Sequence, residues 1–207
     1  MNLERRVNAR RSSFPAQIRK TYDIDSLTDV ALGVFARKGF DGASMDDVAQ
    51  AAGVTKAAIY HHVESKEALL ERGLRRALDA LFAILEEPAS RDADPVSRLR
   101  HIVRRVALTT LQLLPELSVL FRVRGNSPVE HRAIERRREF DRHVATLLAE
   151  AQRAGEVRPE LDAALATRLV FGMTNSIVEW YRPRGRVTPA QVAEAVERLV
   201  FRGLLER

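Results

Sequence analysis

The chain has 207 residues, with 34 Lys and Arg against 28 Asp and Glu and a net charge of +6, which is enough length for one small domain and one larger one. It contains no cysteine, which excludes disulfides and cysteine-based metal sites. No apolar run approaches the roughly 18 residues of a membrane span, and the N-terminus lacks a secretory apolar core, so a soluble cytoplasmic protein is expected.

Residues 1–20 hold six basic side chains (Arg5, Arg6, Arg10, Arg11, Arg19 and Lys20) against Glu4 alone. This arm is polar, lacks a helical period and carries Pro15, so disorder is expected. It reads either as a tail that tracks phosphates or enters a minor groove, or as a solvated terminus or the product of a misplaced start codon. Residues 22–38 then place Ile24, Leu27, Val30, Ala31, Val34 and Phe35 on one face of a helix closed by Gly39.

The most informative stretch is 44–67, SMDDVAQAAGVTKAAIYHHVESKE. Ser44 is an N-cap, and Met45, Val48 and Ala49 follow at helical spacing. Gly53 can adopt the left-handed conformation that stops this first helix. Thr55 caps a second, carrying Lys56, Ala57, Ala58, Ile59, Tyr60 and His61. Two short helices joined through a glycine turn, over about residues 44–63, form a helix-turn-helix arrangement, whose second helix enters the DNA major groove. On spacing alone, an ordinary helical hairpin reads the same way.

Each position in this unit has a separable role. Ala57 and Ala58 keep the helix front thin, so the backbone can approach base edges. Lys56 and Tyr60, about one turn apart, can reach phosphates or bases, and His61 extends that face. Ser44 and Thr55 offer hydroxyls and helix N-terminal amides to phosphate oxygens. Lys66 opens the next helix, where its ammonium could clamp another phosphate. The recognition helix has no Arg, Asn or Gln for bidentate base reading, so sequence choice rests on Lys56, Tyr60, His61, alanine methyl contacts and DNA shape. Residues 23–64 hold only Arg37, Lys38 and Lys56 against seven acids. The reading unit is acidic by count, and part of its attraction to phosphate must come from the arm.

Further helices follow. One runs from Lys66 to about Leu85 and breaks at Glu86 and Pro88. Another opens at Asp94-Pro95, with Val96, Leu99, Ile102, Val103, Val106 and Leu113 as its apolar face. Pro115 interrupts it before a short segment through Arg124. Ser127-Pro128 opens a helix that reaches Ala154 and stops at Gly155. One more covers about 162–181, and Thr188-Pro189 caps the last, through Leu205. The expected fold class is all-α, with about nine helices and no strand. In the last two helices Leu165, Leu169, Val170, Phe171, Met173, Ile177 and Val178, then Val192, Ala195, Val196, Leu199, Val200, Leu204 and Leu205, surround most of the surface. A helix apolar nearly all round is buried on several sides, so these two are expected to form a homodimer interface.

Residues 22–70 closely resemble the TetR/AcrR family of bacterial transcriptional regulators. The resemblance rests on Ala31 with Phe35, Lys38-Gly39-Phe40, Ser44-Met45-x-Asp47-Val48-Ala49, Ala52-Gly53-Val54-Thr55-Lys56, Ile59-Tyr60-His61-His62 and Ser65-Lys66-Glu67-Ala68-Leu69. Val63 departs from it, standing where the family usually has an aromatic, and a smaller core contact is expected there. The resemblance implies three parts: the arm 1–20, a DNA-binding domain 21–67, and a ligand-binding and dimerisation domain 68–207. It also implies a palindromic double-stranded operator, a homodimer whose recognition helices lie about 34 Å apart, and a small-molecule effector that releases a repressor from DNA.

The effector half transfers less directly. Between Arg98 and Arg142 there are eleven arginines against five acids. Arg137 falls on the apolar face of its helix with Ile134, Phe140, Val144 and Leu147. Arg122 and Arg124 meet a Gly-Asn-Ser-Pro turn at a plausible pocket mouth, where an arginine suits a carboxylate or phosphate or pairs with an internal acid such as Glu179. Residues 172–183, GMTNSIVEWYRP, look like the corresponding helix of TetR-type regulators that respond to acyl-CoA thioesters. This resemblance makes Phe121, Phe140, Asn175 and Trp180 channel candidates, with Thr109 and Thr110 behind them. A hydrophobic drug or aromatic acid is an alternative effector, and a ligand-independent DNA-binding protein an alternative function. The chain lacks Gly-x-Ser-x-Gly, His-Glu-x-x-His and a phosphate loop, so neither catalysis nor a cofactor or metal is expected.

Overall fold

The structure, a computed structural model, describes residues 23–205; the expectations for the basic arm lie outside them. Ten α-helical segments occur among the described residues: α1 (Ile24–Lys38), α2 (Met45–Ala52), α3 (Lys56–Tyr60), α4 (Lys66–Glu86), α5 (Pro95–Gln112), α6 (Leu114–Arg122), α7 (Pro128–Arg153), α8 (Ala163–Asn175), α9 (Ile177–Trp180) and α10 (Pro189–Leu204). A 3₁₀ turn, Pro88–Ser90, joins α4 to α5. The only β pairing among the described residues is a single antiparallel bridge between Val157 and Leu205.

Local chemistry sets the boundaries of α1 to α3. The Asp23 carboxylate accepts from the Ser26 backbone N–H (2.8 Å) and starts α1. Ser44 and Asp47 form a reciprocal capping box at the start of α2. Gly53, at φ 70°, ends α2 in the left-handed conformation expected of it. The Thr55 hydroxyl accepts from the Ala58 N–H at 3.2 Å, starting α3. Leu27, Ala31, Phe35, Val48 and Ile59 close the core between these helices, and Val63 is buried with them as a small contact.

The long helix α4 leaves this unit and packs against α1, α6 and α7. It buries Leu69, Leu70, Leu74, Ala77, Leu78 and Leu81. Gly73 is the point of closest approach. A Cβ there would lie 2.4 Å from Leu32 Cδ2, and Leu32 is fully buried. Gly73→Ala is therefore expected to cost about 1–2 kcal/mol, because overpacking exceeds the gain in helix propensity. Urea denaturation checks this.

The remaining helices build around α5, which contacts α4, α7, α8, α9 and α10. Phe140 of α7 packs between Phe82 of α4 and Phe171 of α8, with ring centroids 5.7 and 5.6 Å apart. One boundary differs from the sequence reading. The helix expected over 162–181 breaks at Ser176, leaving α9 as a single turn. The Thr174 hydroxyl donates to the Val170 carbonyl (3.0 Å) and the Ser176 hydroxyl to the Met173 carbonyl (2.7 Å). Hydroxyls that bond helix carbonyls in this way weaken and often bend a helix, and here two fall within three residues of each other. With α8 and α9 taken as one interrupted helix, the expected count of nine stands.

Candidate nucleic-acid interface and effector cleft

The helix-turn-helix geometry leaves one face of α3 open. Ile59 is buried and anchors the helix, while Thr55, Lys56, Ala57, Tyr60, His61 and His62 are all exposed. Tyr60 is 47% exposed, unusual for an aromatic with no cover. Ser44 is exposed at the start of α2, so the residues nominated for DNA contact share the surface of α3 and its approach, with one exception.

The exception is Lys66. Its ammonium donates to the carbonyls of Phe40 (2.8 Å) and Ala43 (2.9 Å) and lies 4.2 Å from the centroid of the Phe40 ring. The phosphate clamp read from the sequence is here an internal contact, with the ammonium held by two carbonyls of the α1–α2 turn. Lys66 positions the turn that leads into Ser44.

The acidic count of the reading unit also acquires a physical meaning. Asp25 pairs with Arg72 (2.8 Å) and Asp29 with Arg76 (2.6 Å), both joining α1 to α4. Arg76 also reaches the buried Glu116 of α6 at 3.3 Å. Asp46 pairs with Lys56 (2.9 Å) and Asp47 with Lys38 (2.6 Å). Four of the seven acids are thus neutralised locally and do not present bare charge to DNA.

Lys56 is held protonated, its pKa raised by the hydrogen bond from its ammonium to Asp46. The Lys38 hydrogen bond, with those from Ser44, lowers the Asp47 carboxyl from 3.8 to about 2. A depressed carboxyl pKa contributes stability that is complete above the unfolded value and lost as pH falls through the folded one. The α2 cap is therefore expected to weaken between pH 3.8 and about 2, as carboxyl-resolved NMR titration would record.

A cleft of about 630 Å³ lies where the reading unit meets α6 and the α6–α7 loop. Phe35, Lys38, Phe40 and Asp41 line one side, and Val119, Phe121, Arg122, Arg124 and Glu130 the other. Arg122 crosses this junction. It donates to the Ala36 carbonyl at the end of α1 (2.6 Å) and to both carboxylate oxygens of Glu179 in α9 (3.0 Å each). Glu130, buried at the start of α7, accepts backbone N–H groups from Arg124 (2.9 Å), Gly125 (2.9 Å) and Asn126 (3.1 Å). Gly125, at φ 89°, lets the loop fold around that carboxylate. Nothing in the local pattern of the sequence marked Glu130 or Gly73 as special.

Of the nine effector candidates, Phe121, Arg122 and Arg124 meet in this cleft. The other six do not line it. Thr109 and Thr110 are buried in α5, and the Thr110 hydroxyl donates to the Val106 carbonyl of its own helix. Arg137 donates to the Leu120 carbonyl at 3.3 Å. Phe140 is in the aromatic core. Asn175 ends α8, and Trp180 is 51% exposed, edge-on to Tyr181.

Residues 27–72 match the family described as bacterial regulatory proteins, tetR family, and residues 92–204 match the tetracyclin repressor-like C-terminal domain. The chain belongs to the TetR family. It is a DNA-binding transcriptional regulator of that family. It is 48% identical to SCO3833, a TetR-family member from Streptomyces coelicolor, with a TM-score of 0.82 over 92% of this chain and 94% of that one. It is 29% identical to the transcriptional repressor KstR2 of Mycobacterium tuberculosis, covering 86% of this chain and 90% of the relative. The structure of AibR in complex with isovaleryl coenzyme A and operator DNA is 25% identical, with a TM-score of 0.75 over 86% of this chain and 97% of that one.

In this TetR-family chain the last helices carry an open apolar stripe. On α8, Leu165 (56%), Leu169 (66%) and Met173 are exposed, and on α10 Leu199 (64%) is exposed as well. Leu165, Leu169, Val170, Met173, Val200 and Leu204 line a groove of about 190 Å³ between α8 and α10. A contiguous apolar patch of this kind marks an association surface, as expected for a dimer formed through these helices. No helix among the described residues is long and apolar enough to cross a membrane.

Proposed function

We propose that this chain is a repressor whose dimer reads a palindromic operator through two α3 helices and is released from it by an acyl-CoA thioester. The observation that carries the reading is the cleft itself, placed between the reading unit and the regulatory helices and bridged by Arg122. AibR, with isovaleryl coenzyme A and operator DNA in one structure, is the relative that supports the effector class. Arg124 supplies a cation for phosphates, as would Lys38 and Arg122 on leaving Asp47 and Glu179, and Phe35, Phe40, Val119 and Phe121 an apolar wall for an acyl group.

The coupling runs through α4 and α6. An effector wedged into the cleft breaks the Arg122 contact with Ala36 and moves α6. Arg76, shared by Asp29 and Glu116, then carries that movement to α1 and α4 together. Emptying a nearly saturated operator requires about 5 kcal/mol of differential effector binding, which must come from contacts that the effector makes only in the released conformation and must also offset the polar contacts that it breaks. Arg76→Ala is expected to lower stability by about 2 kcal/mol, since it strands the buried Glu116 carboxylate while its own exposure limits the loss. It should also blunt the effector response, which paired denaturation and operator titration would measure.

The decisive experiment selects genomic fragments on purified protein, then repeats the titration with isovaleryl-CoA, phenylacetyl-CoA, long-chain acyl-CoA, free CoA and the free acids. A fall in operator affinity with one of the thioesters alone supports the assignment. Operator affinity indifferent to all of them overturns it. Lys56→Ala is expected to flatten the dependence of log affinity on log salt by about 0.9 per half-site, which separates a phosphate contact from base reading.

A further inference from the structure

A second pocket, of about 210 Å³, opens between α7 and α8 and is lined by Arg138, Asp141, Arg142, Ala145, Ala164, Thr167 and Arg168. It lies away from the effector cleft, since Asp141 is roughly 16 Å along α7 from Glu130 at 1.5 Å per residue.

Two independent observations converge on it. The first is charge. On the same helix, Arg132 and Arg136 are paired with Glu71 (2.7 Å) and Asp79 (3.1 Å) of α4. Arg138, Arg142 and Arg168 have no carboxylate partner in ion-pair range among the described residues. Arg138 and Arg142 stand four residues apart on one helix, a like-charge spacing that is unfavourable unless something anionic lies between them. Asp141 is the one acid in the lining; burial pushes its carboxyl above the usual range, while Arg137 and Arg168 pull it down.

The second is an orphan. Thr167 is only 4% exposed, and its hydroxyl oxygen has no hydrogen-bond partner in the structure. Buried polar atoms are nearly always paired. Thr109, Thr110 and Thr174 are equally buried threonines, and the last two donate to carbonyls of their own helices. Thr167, with its unpaired hydroxyl, shares the pocket lining with three unpaired guanidinium groups, residue types that suit an oxyanion.

We propose that the α7–α8 groove binds a phosphate or carboxylate group, held by Arg138, Arg142 and Arg168, with the Thr167 hydroxyl donating a hydrogen bond to it. This site stands apart from the effector assignment, and its test uses neither DNA nor acyl-CoA. Purified full-length protein is titrated calorimetrically at constant ionic strength with pyrophosphate and, separately, with benzoate. Saturable binding of one anion per chain is expected, and the tighter of the two assigns phosphate or carboxylate. Arg142→Ala/Arg168→Ala abolishes it. Thr167→Val, which keeps shape and removes only the hydroxyl, weakens it about tenfold, the value of one hydrogen bond to a charged group.

Light scattering on each variant gives the oligomeric state. An unsaturable response with both anions overturns the proposal, as does affinity unchanged in Thr167→Val. Loss of self-association in the arginine variants, with no anion binding by the parent protein, assigns the groove to a second copy of the chain and overturns it as well.

Discussion

Replacing Tyr60 with phenylalanine is expected to lower operator affinity about 100-fold while the thermal unfolding midpoint stays in place. The side chain stands half in solvent on α3, so its hydroxyl contributes little to the free fold. Against a phosphate oxygen the same hydroxyl would make a charge-assisted hydrogen bond worth about 1.5 kcal/mol. Two copies act on one palindrome, so the loss doubles to about 3 kcal/mol, or two decades. Tyr60→Ala, which also removes the ring, should lose more. Fluorescence anisotropy on the selected operator measures both. Wild-type affinity in Tyr60→Phe, with a loss only in Tyr60→Ala, would move the contact from the hydroxyl to the ring face.

Glu130→Ala carries the other large effect. It is expected to destabilise the chain by about 3 kcal/mol, because three backbone N–H groups lose the shared acceptor that the buried Glu130 carboxylate gives them. Glu130→Gln keeps an acceptor oxygen and should recover roughly half of that loss. Chemical denaturation of the two variants separates geometry from charge. Since Glu130 also lines the cleft proposed for the effector, the alanine variant should bind effector more weakly even where folding is complete. Equal stability of wild type and Glu130→Ala would mean that the α6–α7 loop holds its shape without the carboxylate.

The sequence made the reading unit legible because its punctuation is local. Ser44, Gly53 and Thr55 act within four residues of themselves, and all three do in the structure what their chemistry demands. Asp94 and Ser127, each followed by a proline, likewise marked the starts of α5 and α7. What escaped notice depends on partners distant in sequence. Lys66 turned inward because Phe40 and Ala43, more than twenty residues away, present carbonyls to it. Gly73 matters only against Leu32, and Arg122 only against Ala36 and Glu179. Pairing with Glu179 had been one of two readings open for a rim arginine, and composition could not choose between them. The break at Ser176 was hidden because its apolar neighbours continue the helical period while its hydroxyl ends the ladder.

The ion pairs of Asp25 with Arg72 and Asp29 with Arg76 bear on how such proteins can be recombined. A hybrid regulator spliced at the start of α4 would leave both aspartates facing whatever the foreign body presents. Placing the graft beyond Arg76 keeps each carboxylate with its native guanidinium. A portable DNA-reading module cut from this chain would thus extend about three turns into the long helix, past the last residue that a reader of DNA alone would need.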